Sequence, residues 1–275
     1  MRRRTLLAGG AMGAVLNATH HGARAHSSRP VFVLVHGAWH GGWCWRRVAS
    51  TLEASGARVL TPTLTGCGER THLLGPDVDL ETHIQDVMGA IDAEELTTLH
   101  LCGHSYGGMV VTGVCDRMKS RIASVLYLDA AVPSDGQSMV TQSPGITPEA
   151  AAATEASLRA LAPDGVAMQV FNDVSLFGMA AGSADEAWLK RRLTPHPLKT
   201  WLDPIRLGDG GSAGLRRTYV HCIDPVLPMA SFGAHHERLS SDPSWSTSTL
   251  ATGHDAMVSA PHVVADLLMA QTLNG

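Results

Sequence analysis

The apolar residues of this chain follow two rhythms. Val31-Phe32-Val33-Leu34-Val35, Leu99-His100-Leu101-Cys102 and Ala123-Ser124-Val125-Leu126-Tyr127-Leu128 are near-continuous apolar runs. Such runs suit strands buried on both faces, as in a parallel sheet covered by helices. Between them the spacing turns helical: Trp45, Val48 and Leu52, then Leu80, Ile84, Val87 and Ile91. A further short strand is predicted over 58–62. Alternating strands and helices predict an α/β fold class with a mostly parallel central sheet flanked by helices. The rhythm breaks over about 133–217. There the chain offers helical patches at 148–161 and 184–192, several prolines, and the apolar residues Phe171, Leu176, Phe177 and Met179, with no convincing strand. We read this region as a helical cap inserted over the C-terminal edge of the sheet. The sheet resumes over 218–223 and 245–251, and a final helix is expected over 256–273.

The start of the chain reads differently. Arg2-Arg3-Arg4-Thr5-Leu6-Leu7 is basic, a Gly/Ala-rich weakly apolar run follows, and Ala23-Arg24-Ala25 has the small-residue spacing of a cleavage site. This predicts a twin-arginine export signal over residues 1–25, release to the periplasm or medium, and a single domain over residues 26–275. The run is too short and glycine-rich to span a bilayer. Removing it takes away four arginines and no acids, so the formal charge moves from −4 to −8 (17 basic against 25 acidic residues). A mildly acidic surface argues against nucleic acid and anionic membrane as partners. The spacing of Cys44, Cys67, Cys102, Cys115 and Cys222 fits no metal site, and buried free thiols are expected.

The chemistry concentrates at Gly103-His104-Ser105-Tyr106-Gly107. A strand runs in and a helix runs out, which is the context that makes G-x-S-x-G a nucleophile elbow. The turn strains the serine and points its hydroxyl above the sheet, and Gly103 and Gly107 must lack side chains where strand and helix crowd. A serine needs a neighbouring base. His254, in Thr252-Gly253-His254-Asp255, sits between the last strand and the last helix and suits that role. Two backbone donors are needed for a developing oxyanion. We assign the N–H groups of Tyr106 and of Ala38, the latter in the loop after the first strand. This chemistry requires no cofactor and no metal.

The chain resembles the α/β-hydrolase superfamily, and more narrowly the branch of methyl salicylate-type methyl-ester esterases and hydroxynitrile lyases. The resemblance rests on Val35-His36-Gly37-Ala38-Trp39-His40-Gly41-Gly42-Trp43, on Gly103-His104-Ser105-Tyr106-Gly107-Gly108 and on Gly253-His254-Asp255-Ala256-Met257. It spans 31–273, strong in the core and weak in the cap. Lyases of this branch carry lysine directly after the histidine and threonine at the place of Gly37. Asp255 would repel cyanide, so the resemblance implies ester hydrolysis. The esterase relatives place the triad acid three residues after a cysteine matching Cys222, where this chain has Pro225. Asp224 comes one residue early. Other members of the fold place the acid after the strand that follows the elbow helix, where this chain has Asp129. Asp129 is preferred, with Asp224 as its rival.

Trp39, Met257 and Phe177 are candidate substrate-binding residues, with Tyr106, Phe171 and Met179 as further lining, and Arg70 as a conceivable carboxylate clamp. The expected substrate is a small to medium, moderately hydrophobic, neutral carboxylic ester. The alternatives are cleavage of an amide, lactone or C–C bond by the same triad, a hydroxynitrile lyase-like reaction, and a non-enzymatic small-molecule binder. The reading leaves room for a homodimer.

Overall fold

A computed structural model of the chain describes residues 29–171 and 173–273. The expected export signal lies outside the described residues. In chain order the strands are β1 (Val31–Val35), β2 (Arg58–Leu60), β3 (Leu99–His104), β4 (Ile122–Leu128), β5 (Ala167–Met168), β6 (His196–Pro197), β7 (Arg216–Cys222) and β8 (Trp245–Leu250). The α-helices are α1 (Arg46–Ala54), α2 (Leu80–Ala93), α3 (Gly107–Met118), α4 (Pro148–Leu161), α5 (Ala184–Lys190), α6 (Lys199–Leu202), α7 (Ala230–Ser240), α8 (Ala256–Ser259) and α9 (Pro261–Ala270).

The continuous apolar runs form the centre of a six-stranded sheet in the order β2-β1-β3-β4-β7-β8, every pairing parallel. Helical spacing in the sequence becomes helix packing on both faces. Leu80, Ile84, Val87 and Ile91 of α2 join Met109, Val110 and Val114 of α3 in one core layer. Val48 and Leu52 of α1 join Val264, Ala265 and Leu268 of α9 in the other. The strand order reverses between β2-β1 and β3-β4, so the crevice at the carboxyl ends of β1 and β3 is a topological switch point, where open α/β sheets hold ligands.

Two expectations need correction. The cap contains a short antiparallel pair, Ala167 opposite Pro197 and Met168 opposite His196. Two residues per strand are too few to show alternation in the sequence. The last helix is two helices, because Pro261 opens α9 and Ala260 before it leaves the helical region at φ −134°. A residue ahead of proline is crowded out of the α conformation.

Backbone contact fixes the sheet-to-helix geometry. A Cβ on Gly107 would lie 2.8 Å from the His36 carbonyl oxygen, one on Gly103 2.6 Å from Val111, and one on Gly108 2.0 Å from the Ala131 carbonyl oxygen. Gly89, exposed on α2, has nothing within 4 Å of the same position. Gly108→Ala is therefore expected to lose about 2–3 kcal/mol by overpacking, whereas Gly89→Ala gains up to about 1 kcal/mol of helix propensity. Urea unfolding of the two variants measures both, and equal effects would contradict the packing argument.

Candidate active site

Ser105 directly follows β3, two residues before α3, and the fold holds it in the left-handed region at φ 55°. Its N–H donates to the Leu128 carbonyl (3.2 Å), and its own carbonyl accepts from Gly108 (3.0 Å) and Ala131 (3.1 Å). Those bonds hold a conformation that a serine would otherwise avoid. Neither the Tyr106 N–H nor the Ala38 N–H donates to any group among the described residues. Beside β1, His36 fixes the loop. Its Nδ1–H donates to the Gly37 carbonyl (2.8 Å), and its Nε2 accepts from the Leu64 N–H (3.1 Å). In a trans peptide the N–H points opposite to the carbonyl, so turning the Gly37 carbonyl toward His36 aims the Ala38 N–H the other way.

His254 follows β8, and Asp129 follows β4. His254 Nδ1–H donates to Asp129 Oδ2 at 2.7 Å, with both residues buried. The bond fixes the tautomer, so His254 Nε2 carries the lone pair. Phe232 lies parallel to the imidazole (ring centroids 5.4 Å apart, 8° between planes), and Phe177 is near-parallel at 6.2 Å. No hydrogen bond joins Ser105 to His254 here, the loose state such pairs adopt before substrate tightens them. Asp129 Oδ1 accepts from His221 Nδ1–H (2.7 Å) and from the Cys222 N–H (3.2 Å). Burial opposes ionisation of this carboxyl, but hydrogen bonds from His221 and His254 outweigh it and hold its pKa at about 2. Asp224 is exposed beyond β7, its N–H spent on the Thr252 carbonyl (3.0 Å), and makes no contact with His254. The one-residue offset from the relatives' position turns it off the site.

The remaining candidates separate. Trp39 packs on Phe171 (4.8 Å between centroids) and Trp201 (5.6 Å). Tyr106 stacks near-parallel to Trp201 (6.4 Å, 7°), and its hydroxyl donates to His83 Nδ1 (2.9 Å). With Phe177 these rings form an aromatic wall under the cap. Met257 does not join them. It has no exposed surface and packs with Met179 in the layer beneath α1 and α9. Arg70 is committed to Asp86 (3.0 Å), the Thr63 carbonyl (2.7 Å) and Thr65 (2.8 Å), so no carboxylate clamp is free there. All five cysteines are buried free thiols.

Sequence reasoning missed three histidines. His221 holds the far side of Asp129. His196, in β6, accepts from the Trp39 N–H (3.4 Å) under the aromatic wall. His40 Nε2 meets Asp255 Oδ2 at 2.9 Å, both fully buried. The one hint was that His36 and His40 straddle the oxyanion loop four residues apart. The Asp255 carboxylate is thus paired inside the protein, and the expected direct repulsion of cyanide does not apply. His104, His254 and Asp255 are the described residues whose donor atoms cluster as a metal ligand set would. One atom of each is spent within the protein: His104 Nε2–H donates to the His254 carbonyl (3.1 Å), His254 Nδ1–H to Asp129, and Asp255 Oδ2 meets His40.

Burial keeps His36 neutral with a pKa of about 3, His104 at about 3 and His83 at about 4. Unfolding returns each to about 6.5, so these groups stabilise the fold fully above that pH and progressively less as pH falls from about 6.5 toward 4. Asp129 adds stability that disappears only between about pH 4 and 2. His40, raised by Asp255 against its burial, acts in the opposite sense and loses its contribution as pH rises. The melting temperature is expected to fall between pH 7 and 4.5, followed by circular dichroism. A flat profile over that range would contradict the assignment of neutral buried histidines.

The profile of the alpha/beta hydrolase family matches residues 32–267. A carbendazim hydrolyzing esterase of Nocardioides sp. (strain SG-4G) is 44% identical over 245 residues, 87% of this chain and 98% of that protein. Among solved structures, an extracellular alpha/beta-hydrolase from a Paenibacillus species is similar with TM-score 0.74 and 25% identity, over 90% of this chain and 100% of that one. It is described as sharing structural and functional homology with tobacco salicylic acid binding protein 2. An Arabidopsis methylesterase, MES16, has the same fold with TM-score 0.67 and 21% identity, over 88% of this chain and 98% of that one. The family profile spans most of the sheet and the cap alike, and a relative aligns over almost its whole length: this chain belongs to the alpha/beta hydrolase family.

Proposed function

We propose that the chain hydrolyses carboxylic esters through an acyl-enzyme on Ser105. The observation that carries this reading is the 2.7 Å bond from His254 Nδ1–H to Asp129, which leaves Nε2 free, with the imidazole 4.5 Å between ring centroids from His104, the residue preceding the strained Ser105. His254 Nε2 takes the Ser105 proton as Oγ attacks the ester carbonyl. The oxyanion receives the unspent N–H groups of Ala38 and Tyr106. His254 then protonates the departing alcohol, and water repeats the sequence to release the acid. Asp129 holds the base in register and stabilises its imidazolium.

The substrate we infer is neutral, moderately hydrophobic and of small to medium size, with an aryl acid part. The aromatic wall of Trp39, Phe171, Trp201 and Tyr106 supports it, as do the esterase and methylesterase names of the relatives. Cyanohydrin cleavage is disfavoured on two grounds. The residue after the base is Asp255, held by His40, so no lysine stands there to receive the cyanide charge. A side chain at Gly37 would begin 2.8 Å from Ser105 Cβ and 2.9 Å from His104 Nδ1, leaving no room for a lyase threonine. The basic leader and its Ala23-Arg24-Ala25 site support export before this chemistry is used.

A panel of methyl aryl and p-nitrophenyl esters tests the reaction, and absence of turnover across the panel contradicts it. Within that assay Asp129→Asn is expected to lower kcat by about four orders of magnitude, while Asp224→Asn leaves it within a few-fold. The reverse ranking would move the acid to β7.

A further inference from the structure

The buried His40–Asp255 pair is not used by any step above. Its geometry defines its charge. His40 Nε2 lies 2.9 Å from Asp255 Oδ2, and His40 Nδ1 lies 2.7 Å from the Ala38 carbonyl oxygen. Burial opposes ionisation of Asp255, but the charge and hydrogen bond of His40 outweigh it and hold the carboxyl below its ordinary range. An ionised carboxylate and a carbonyl are acceptors only, so both ring nitrogens carry hydrogen and His40 is an imidazolium. Against an ionised Asp255, a neutral imidazole with one N–H would have to release one of the two acceptors. The Asp255 charge sustains the second proton, and the second proton holds the Ala38 carbonyl.

We propose that the His40–Asp255 ion pair is a positioning device for the oxyanion loop, setting the direction of the Ala38 N–H relative to the base loop. The proposal rests on the oxyanion role given to Ala38 above. His36 holds the Gly37 carbonyl on one side of Ala38, and His40 holds the Ala38 carbonyl on the other. Both peptide planes flanking Ala38 are thereby fixed, just ahead of Trp39 in the left-handed region at φ 63°. Asp255 is anchored in turn. It follows His254 directly, its N–H donates to the Phe177 carbonyl of the cap (3.0 Å), and its second oxygen lies 3.7 Å from His104 Nε2 on the elbow. One residue thus links the donor loop after β1 to the base loop after β8 and, through its backbone, to the cap. Packing alone does not call for charge here, since apolar residues often replace a buried ion pair without loss of stability. What the pair supplies is direction.

The test compares Asp255→Asn and the double variant His40→Leu/Asp255→Leu with the unaltered protein, using p-nitrophenyl acetate turnover and inhibition by phenylboronic acid, which forms a tetrahedral adduct on the serine. Asn removes the charge, and its amide can meet His40 Nε2 with an N–H, in which case a neutral imidazole keeps Nδ1–H on the Ala38 carbonyl, so this variant is expected to lose less activity than the double variant. The double variant removes the pair and the donor to the Ala38 carbonyl without leaving a buried charge unpartnered. In it kcat is expected to fall about tenfold or more with KM nearly unchanged, and boronate inhibition to weaken by a similar factor, the signature of a contact made in the transition state. Wild-type kcat in the folded double variant overturns the proposal, as does a loss carried by KM with boronate inhibition unaltered. Unfolding of both variants assigns the pair to folding and overturns it too. Absence of turnover and of boronate inhibition in the unaltered protein is a different result, which removes the esterase reading itself.

Discussion

Backbone packs directly on backbone at the elbow, and the site depends on that contact. Gly103 brings β3 against α3, Gly107 brings α3 against the end of β1, and Gly108 brings it against the segment after β4, at distances that leave no space for a Cβ. The approach brings Ser105, the loop of Ala38 and the segment beginning at Asp129 to one crevice. It also spends the peptide groups around Ser105 on Leu128, Gly108 and Ala131. The strain at the serine is therefore held by the frame rather than by the serine's own side chain, which stays free for chemistry.

Around that frame, charge is handled by histidines. Asp129 is buried, yet three donors hold it ionised: His254, His221 and the Cys222 N–H. Asp255 is buried next to the base, yet His40 balances it. Each carboxylate would be costly alone and is tolerable because a histidine is paired with it. The two pairs face different segments: Asp129 bonds His254 in the loop after β8, and Asp255 bonds His40 in the loop after β1.

The sheet was legible because parallel strands buried on both faces write themselves as apolar runs, and helices as 3.6-residue periodicity. The strand-to-helix turn at Ser105 and the place of His254 after the last strand were legible because turn chemistry and chain order constrain them. The carboxylate partner of His254 was only half legible. Asp129 and Asp224 are each an acid at a strand end, and what separates them is a three-dimensional fact, the bond to His254. His221 left no local signal, since a buried histidine on an apolar strand looks the same whether it is packed or bonded to a carboxylate, and the spacing of His36 and His40 did not name Asp255 as a partner. The cap hid its two-residue strands, and Met257 looked like pocket lining because adjacency to His254 in sequence does not specify which side of the sheet a side chain enters.

The central claim is that Ser105 is a nucleophile activated by its surroundings. Labelling of the folded protein with a fluorophosphonate, followed by mass spectrometry of its peptides, measures this most directly. The account predicts one phosphonylated site, on the peptide carrying Ser105, and no labelling after Ser105→Ala. A folded protein that takes up no label, or takes it elsewhere, would contradict it.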